Sequence, residues 1–267
     1  MRVLIFELDH NGHRLQYVRV IIEALLPWCN DVIFATSYES AASEEYQIHL
    51  QPLSTRFHLD DSYTVGRGTP FLVAMSKLAN FRTSMRSWQP DHTFIPYADG
   101  LAQLLVAMRW PTSMLGRSSE IEGILMRGRF SYPPNRWYDE ILAAAWLTAM
   151  GLSPLSVLHH LDPIPYAALR KWGSALDRLS QIIPEPVEAI QHLEKVEARR
   201  KLGIPLEGRY LASLGPIDVR KGIVQLLQAF AQAKLGTNDR LLVMGKLDPE
   251  VRVLISEQMD PCSKTSD

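Results

Sequence analysis

Residues 214–222, LGPIDVRKG, hold the chain's clearest chemical potential: glycines bracket the pair Arg220 and Lys221 where an apolar run gives way to a helical pattern. Backbone N–H groups at a helix start lack intrahelical partners, and the helix dipole is positive there. An anion held between them and two cations is therefore favoured. A phosphate-sized ligand fits, with Gly215, Arg220 and Lys221 as its binding residues. Solvated charge ahead of an amphipathic helix is the competing reading, and spacing alone does not separate the two. Near the other end, Gly12 and His13 stand between an apolar run and a helical one. Glycine lets backbone approach a ligand closely, and the adjacent imidazole can take or give a proton near neutral pH. A plain turn and helix start use the same residue types. In HTFIPYADG, 92–100, Tyr97 and Asp99 follow a strand pattern, and Asp99 is either a site carboxylate or a helix N-cap.

Five arginines, Arg109, Arg117, Arg127, Arg129 and Arg136, face only Glu120 and Glu122 over the same stretch. They are scattered surface charges or a patch for an anionic or lipid-linked ligand. Trp137, Tyr138 and Trp146 read as core aromatics before a sugar-stacking surface. His159, His160 and Asp162 do not form a metal cluster in this reading, because adjacent strand residues point to opposite faces. No G-x-G-x-x-G, Walker loop, G-x-S-x-G, H-E-x-x-H or C-x-x-C is present, which demotes nucleotide redox and metalloprotease chemistry.

The elements that would position these residues alternate. Val3 to Phe6, Asp31 to Ala35, Ile48 to Leu53, Asp91 to Pro96, Ile121 to Met126 and Ser156 to His159 read as strands. Helical spacing appears from Leu15 to Leu26, from Leu72 to Trp88, from Leu101 to Met108, from Trp137 to Met150 and from Tyr166 to Leu176. Apolar strands alternating with helices predict an α/β fold, a doubly wound parallel sheet covered on both faces. Pro184 and Pro186 then mark a hinge near 183–187. A charged helix over 188–201, a strand over 209–214, a helix from Ile223 and a strand at 241–244 begin a second, partial Rossmann-like unit. The expected domains are 1–183 and 184–267.

The chain has 267 residues, 46% hydrophobic and 21% charged, enough for a sizeable core. Its 28 basic and 29 acidic residues nearly cancel, so no net field exists to hold nucleic acid. Cys29 and Cys262 match no ligand spacing and fit a reduced, cytoplasmic setting. Val3 to Phe6 is too short for a signal sequence, and Ile141 to Met150 is half the ~20 residues of a membrane span.

The segment RYLASLGPIDVRKGIVQLLQAFAQAKLGTNDRLLVMGKL, 209–247, resembles the opening of the donor domain in family 4 glycosyltransferases. Gly215, Lys221, Gly222, Ala229, Phe230 and Gly245 fit its strand, glycine loop, Lys-Gly, helix, strand and glycine pattern. IIPEPVE, 182–188, and RRKLGIP, 199–205, resemble that family's interdomain strand and following helix, and FELDHNGHRLQYVRVIIEALL, 6–26, its first loop and helix. Pro216 stands where the family has a diphosphate-binding arginine, and Pro96 where many members have a histidine. The family's acidic motif has no counterpart within the sequence.

The resemblance implies a GT-B-type fold, truncated in the donor domain, and retaining transfer of a sugar from a nucleotide-sugar to a sugar, lipid-linked or other small acceptor. Lys221 and Arg220 would neutralise the leaving diphosphate. His13 and Asp99 would be catalytic, with Gly12 and Tyr97 beside them on the acceptor side. No cofactor or metal is expected, since the nucleotide-sugar is a co-substrate. A lipid-linked acceptor would put the protein at the inner face of a membrane as a peripheral contact. An inactive truncated binding module and a nucleotide-sugar epimerase-like enzyme remain the alternatives.

Overall fold

The computed structural model describes residues 1–99, 101–102, 104–105, 119–126, 141, 145, 148, 154–170, 174–187, 192–215, 217–233 and 236–253. Two compact units form, Met1–Ala189 and Ile190–Asp267. The Arg109–Arg136 cluster, Trp137, Tyr138, Trp146 and Pro216 lie outside the described residues.

The first unit is built on seven strands: β1 (Arg2–Phe6), β2 (Asp31–Ser37), β3 (His58–Tyr63), β4 (His92–Ile95), β5 (Glu120–Leu125), β6 (Val157–His160) and β7 (Ser180–Ile182). They pair in parallel in the order β3-β2-β1-β4-β5-β6-β7. Alternation along β1 sends successive side chains to opposite faces. Ile5 joins Val32 and Phe34 beneath Leu15, Val18 and Ile22 of helix α1 (Arg14–Leu25). Leu4 and Phe6 join Ile33 and Ile95 on the other side, under Leu78, Phe81 and Met85 of a long helix, Pro70–Trp88. That helix starts cleanly because the Thr69 hydroxyl accepts from the Leu72 N–H and Pro70 needs no donor; it stops at Gln89, which turns left-handed (φ 44°).

The expected strand at 48–53 is instead a helix, Glu44–His49, followed by a 3₁₀ turn, Gln51–Leu53. Ser43 caps the helix, Glu44 and Glu45 complement its dipole, and Pro52 has no N–H to give a ladder. The third strand is the polar HLDDSY at 58–63, an edge strand and therefore free of the apolar pattern that marks buried ones. Near the end of the unit the helical segments are Pro163–Arg170 and Ser174–Leu179, and Tyr17 donates to Glu185 at 2.5 Å. That bond packs the Pro184–Pro186 stretch onto α1.

A polar stripe crosses β4 to β7 on the α1 side of the sheet. His92 lies 3.5 Å from Glu122, His159 Nε2 donates to Glu122 at 2.7 Å, and Gln181 donates to His159 Nδ1 at 2.9 Å. The hydrogen bond from His159 and the charge of His92 hold the Glu122 carboxyl below its ordinary range despite desolvation.

His160 points the other way, fully buried, with Nε2 3.1 Å from the Ser180 hydroxyl and Nδ1 without a partner. Burial pushes its pKa down to about 4. An unfolded chain takes up this proton near pH 6.5, the folded one only near 4. In that window the unfolded state binds more protons, so stability falls as pH falls. The expected loss is about 3 kcal/mol between pH 6.5 and 4. Denaturant titrations across that range should show the slope in the native protein and not in His160→Gln.

The second unit has two parallel strands, β8 (Arg209–Leu214) and β9 (Asp239–Met244), and a helix, Ile223–Gln232. Its core is small: Ile217, Ile223 and Val251 are buried, and Val224, Leu226, Leu227, Val243 and Leu247 pack against them. A shorter helix, Lys195–Lys201, precedes the strands where the charged pattern predicts helix over 188–201.

Candidate functional site

In the second unit, β8 and β9 end side by side on Gly215 and Gly245, and the Gly215 N–H donates to Met244 O at 3.0 Å. Pairing resumes beyond them between Ile217 and Leu247. At that crossing the two backbones touch so closely that a Cβ on Gly245 would stand 1.8 Å from the Gly215 carbonyl oxygen. The chain then turns through a short 3₁₀ segment, Val219–Lys221, whose start is capped by Asp218 accepting from the Lys221 N–H at 2.9 Å. Gly222 takes a left-handed conformation (φ 70°) and begins the helix Ile223–Gln232, whose N-terminus has no side-chain cap.

The result is a built cradle at the carboxyl end of β8. The Lys221 ammonium lies over Gly215, with Nζ 3.1 Å from where a Cβ would stand, and the residue is exposed. Gly215, Lys221 and an uncapped helix start therefore share one place, as the spacing predicts. Arg220 sits in the same 3₁₀ turn.

The first unit brings together a different set from the one the sequence singles out. Its strand order reverses direction between β1 and β4, and ligands of doubly wound sheets bind outside the carboxyl ends of the strands at such a point. A cavity of about 170 Å³ opens there. Phe6, Glu7 and Leu8 reach it from the end of β1, and Ile95 and Tyr97 from the end of β4. Arg14 of α1 and Lys77 of the helix Pro70–Trp88 complete the polar wall.

Glu7 is 4% exposed, and one carboxyl oxygen, Oε1, accepts from Arg14 at 2.9 Å and from the Asp9 N–H at 3.0 Å. The other, Oε2, is buried without a hydrogen-bond partner. Burial pushes this carboxyl above the usual glutamate range, against the opposing pull of Arg14 and Lys77. Asp9 goes the other way: desolvation is outweighed by Arg14, the Asn11 N–H and Lys77, which hold it below its ordinary value. The Arg14 guanidinium also lies over the Tyr97 ring, 3.6 Å from its centroid.

Gly12 turns left-handed (φ 73°), as the loop requires, with nothing within 4 Å of where its Cβ would stand. His13 is exposed at the start of α1, with Nδ1 3.2 Å from Gln16 and its ring stacked on Tyr17. Asp99 does not reach into the cavity wall; its Oδ2 accepts from the Met126 N–H at 3.1 Å and so ties the loop after β4 to the end of β5. Of the residues singled out in this unit, only Tyr97 lines the cavity. Glu7, Arg14 and Lys77 escape a reading by motif. The one sequence signal for them is a glutamate placed directly after a buried parallel strand, where a carboxylate must find a partner or a ligand.

Among the described residues, no group of His, Cys, Asp or Glu is arranged to hold a metal ion, and no helix is long and apolar enough to cross a membrane.

No protein-family model matches the chain, and no curated protein matches it by sequence. Solved structures do. HepE from Anabaena, in complex with UDP, superimposes with a TM-score of 0.60 at 12% identity, over 99% of this chain and 66% of that one. UDP-GlcNAc 2-epimerase from Methanocaldococcus jannaschii, in complex with UDP-GlcNAc and UDP, matches at TM-score 0.52 and 12% identity, over 100% of this chain and 72% of that one. Phytolacca americana UGT2, complexed with UDP-2fluoro-glucose and pterostilbene, matches at 0.58 and 12%, over 95% of this chain and 73% of that one. The chain thus spans about two-thirds of the length of HepE. The narrower likeness to family 4 rests on the sequence motifs alone. What the chain shares with these proteins is the GT-B-type, Rossmann-like α/β fold.

Proposed function

We propose that this protein binds a nucleotide-sugar and transfers its sugar to an acceptor carried by the first unit. The observation that carries this reading is the Lys221 ammonium seated over Gly215 beside an uncapped helix N-terminus. Fixed positive charge and free N–H groups there would bind the diphosphate and stabilise the negative charge it gains as it leaves, commonly the largest contribution in such reactions. The acceptor oxygen bonds to the anomeric carbon. The bond from that carbon to the diphosphate breaks, and its electron pair stays on the diphosphate oxygen. The acceptor's proton passes to His13, the exposed imidazole of the Gly12 loop, while Tyr97 and Asp99 shape the acceptor side. The resemblance to family 4 supports retention at the anomeric carbon, and the UDP-bound state of HepE supports a uridine nucleotide as the first to test.

A second reading, epimerisation of the bound nucleotide-sugar, is favoured by the likeness to UDP-GlcNAc 2-epimerase over the whole chain. Incubation with a panel of nucleotide-sugars, with and without simple glycosides, separates the readings. Acceptor-dependent release of nucleoside diphosphate supports transfer. A changed sugar on an intact nucleotide supports epimerisation. No binding heat with any donor would sink both and leave a chain that binds no donor.

A further inference from the structure

The cavity at the carboxyl ends of β1 and β4 has chemistry that the motif reading does not use. Oε2 of Glu7 is a buried acceptor with no partner, and leaving such a group unpaired is costly, so it calls for an O–H or N–H donor. Lys77 on the opposite wall is a donor that calls for an oxygen. Between them Tyr97, Ile95 and Leu101 offer apolar and aromatic surface. A volume of about 170 Å³ is small beside the roughly 300 Å³ and more of drug-sized sites, and suits one ring.

We propose that this cavity is a binding site for a single sugar ring, with one hydroxyl donating to Glu7 Oε2, a neighbouring hydroxyl accepting from Lys77, and the ring lying against the Tyr97 side. Each hydroxyl both donates and accepts, so a vicinal pair satisfies a carboxylate and an ammonium together. A carboxylate ligand would meet Glu7 with like charge, and an amine would meet Lys77. Arg14 belongs to the scaffold: it neutralises Glu7 through Oε1 and stays pinned over Tyr97, which leaves Oε2 as the oxygen free for the ligand. This rests on the transferase reading for its role, since the ring would be the terminal sugar of the acceptor. Its binding can be measured without transfer.

Full-length protein should be titrated calorimetrically with the methyl glycosides of glucose, galactose, mannose and N-acetylglucosamine, with inorganic phosphate, and separately with UDP. At least one glycoside should bind saturably. Glu7→Gln and Lys77→Met should each weaken it about tenfold, the factor expected for one charge-assisted hydrogen bond. UDP binding should be unchanged in both variants, which also shows that they fold. Glycoside binding that is equal in the native protein and either variant would overturn the proposal, as would the absence of any saturable glycoside binding. So would phosphate binding that displaces the glycoside and is lost in Lys77→Met, which would make this an anion site. Glycoside binding dependent on Glu7 in a protein that ignores UDP would uphold the site and remove the transferase reading instead.

Discussion

Lys221→Ala should lower kcat/KM for sugar transfer by roughly a hundredfold or more, the scale of removing one fixed charge from a departing group. The effect should appear mainly in kcat, because the diphosphate carries more charge as it leaves than it does while bonded to the sugar. The side chain is exposed and supports no packed core. Its backbone is held independently by Asp218. Thermal stability should therefore move by no more than an ordinary surface substitution, roughly ±0.5 kcal/mol. Lys221→Arg should recover part of the rate, since charge is kept while geometry changes. Steady-state kinetics with the donor that binds most tightly is the measurement, and full activity in Lys221→Ala would remove the donor site from this loop.

Gly245→Ala is expected to unfold the second unit. Its new Cβ would fall 1.8 Å from a backbone carbonyl oxygen that cannot swing away as a side-chain tip could. The strands would have to part at the point where Gly215 hydrogen-bonds to Met244. A cost of about 3 kcal/mol or more is in keeping with forced overpacking against rigid backbone. Little stands against it, because the core rests on three buried side chains and Leu211 and Leu214 stay exposed on β8. Amide hydrogen exchange should show protection lost over 209–253 and kept over β1, β2 and β4. Gly203→Ala is the control: it also has positive φ (64°), but nothing lies within 4 Å of its Cβ position, so it should cost only about 1 kcal/mol of backbone strain. Equal stability of the two variants would mean that the close crossing of Gly215 and Gly245 is relaxed in solution.

What the sequence makes legible follows burial. Strands β1, β2, β4, β5 and β6 lie inside a parallel sheet and read as apolar runs. Strand β3 lies at the edge, where HLDDSY leaves most side chains in solvent, so the apolar run at 48–53 attracts the strand assignment although Ser43 and Pro52 make it helical. The donor loop is legible because its parts are adjacent: Gly215, Lys221 and Gly222 lie within eight positions, and a strand-to-helix turn gathers them without help from distant chain. The first unit's cavity is not. Glu7 and Lys77 are brought together only when the helix Pro70–Trp88 packs across β1 and β4, and no local pattern encodes that crossing. Asp99 shows the same limit in reverse, since its partner, the Met126 N–H, comes from a neighbouring strand.

The polar stripe across β4 to β7 acts as a check on assembly. A parallel sheet of interchangeable aliphatic strands could zip together one residue out of step at little cost. Here such a slip on β5 would turn Glu122 into the apolar layer now filled by Ile121 and Leu125, and on β6 it would take His159 away from the two groups that its ring nitrogens satisfy. Each strand that joins is thus proofread by the one before it, and the sheet closes in a single alignment that sets where every loop at its carboxyl edge emerges.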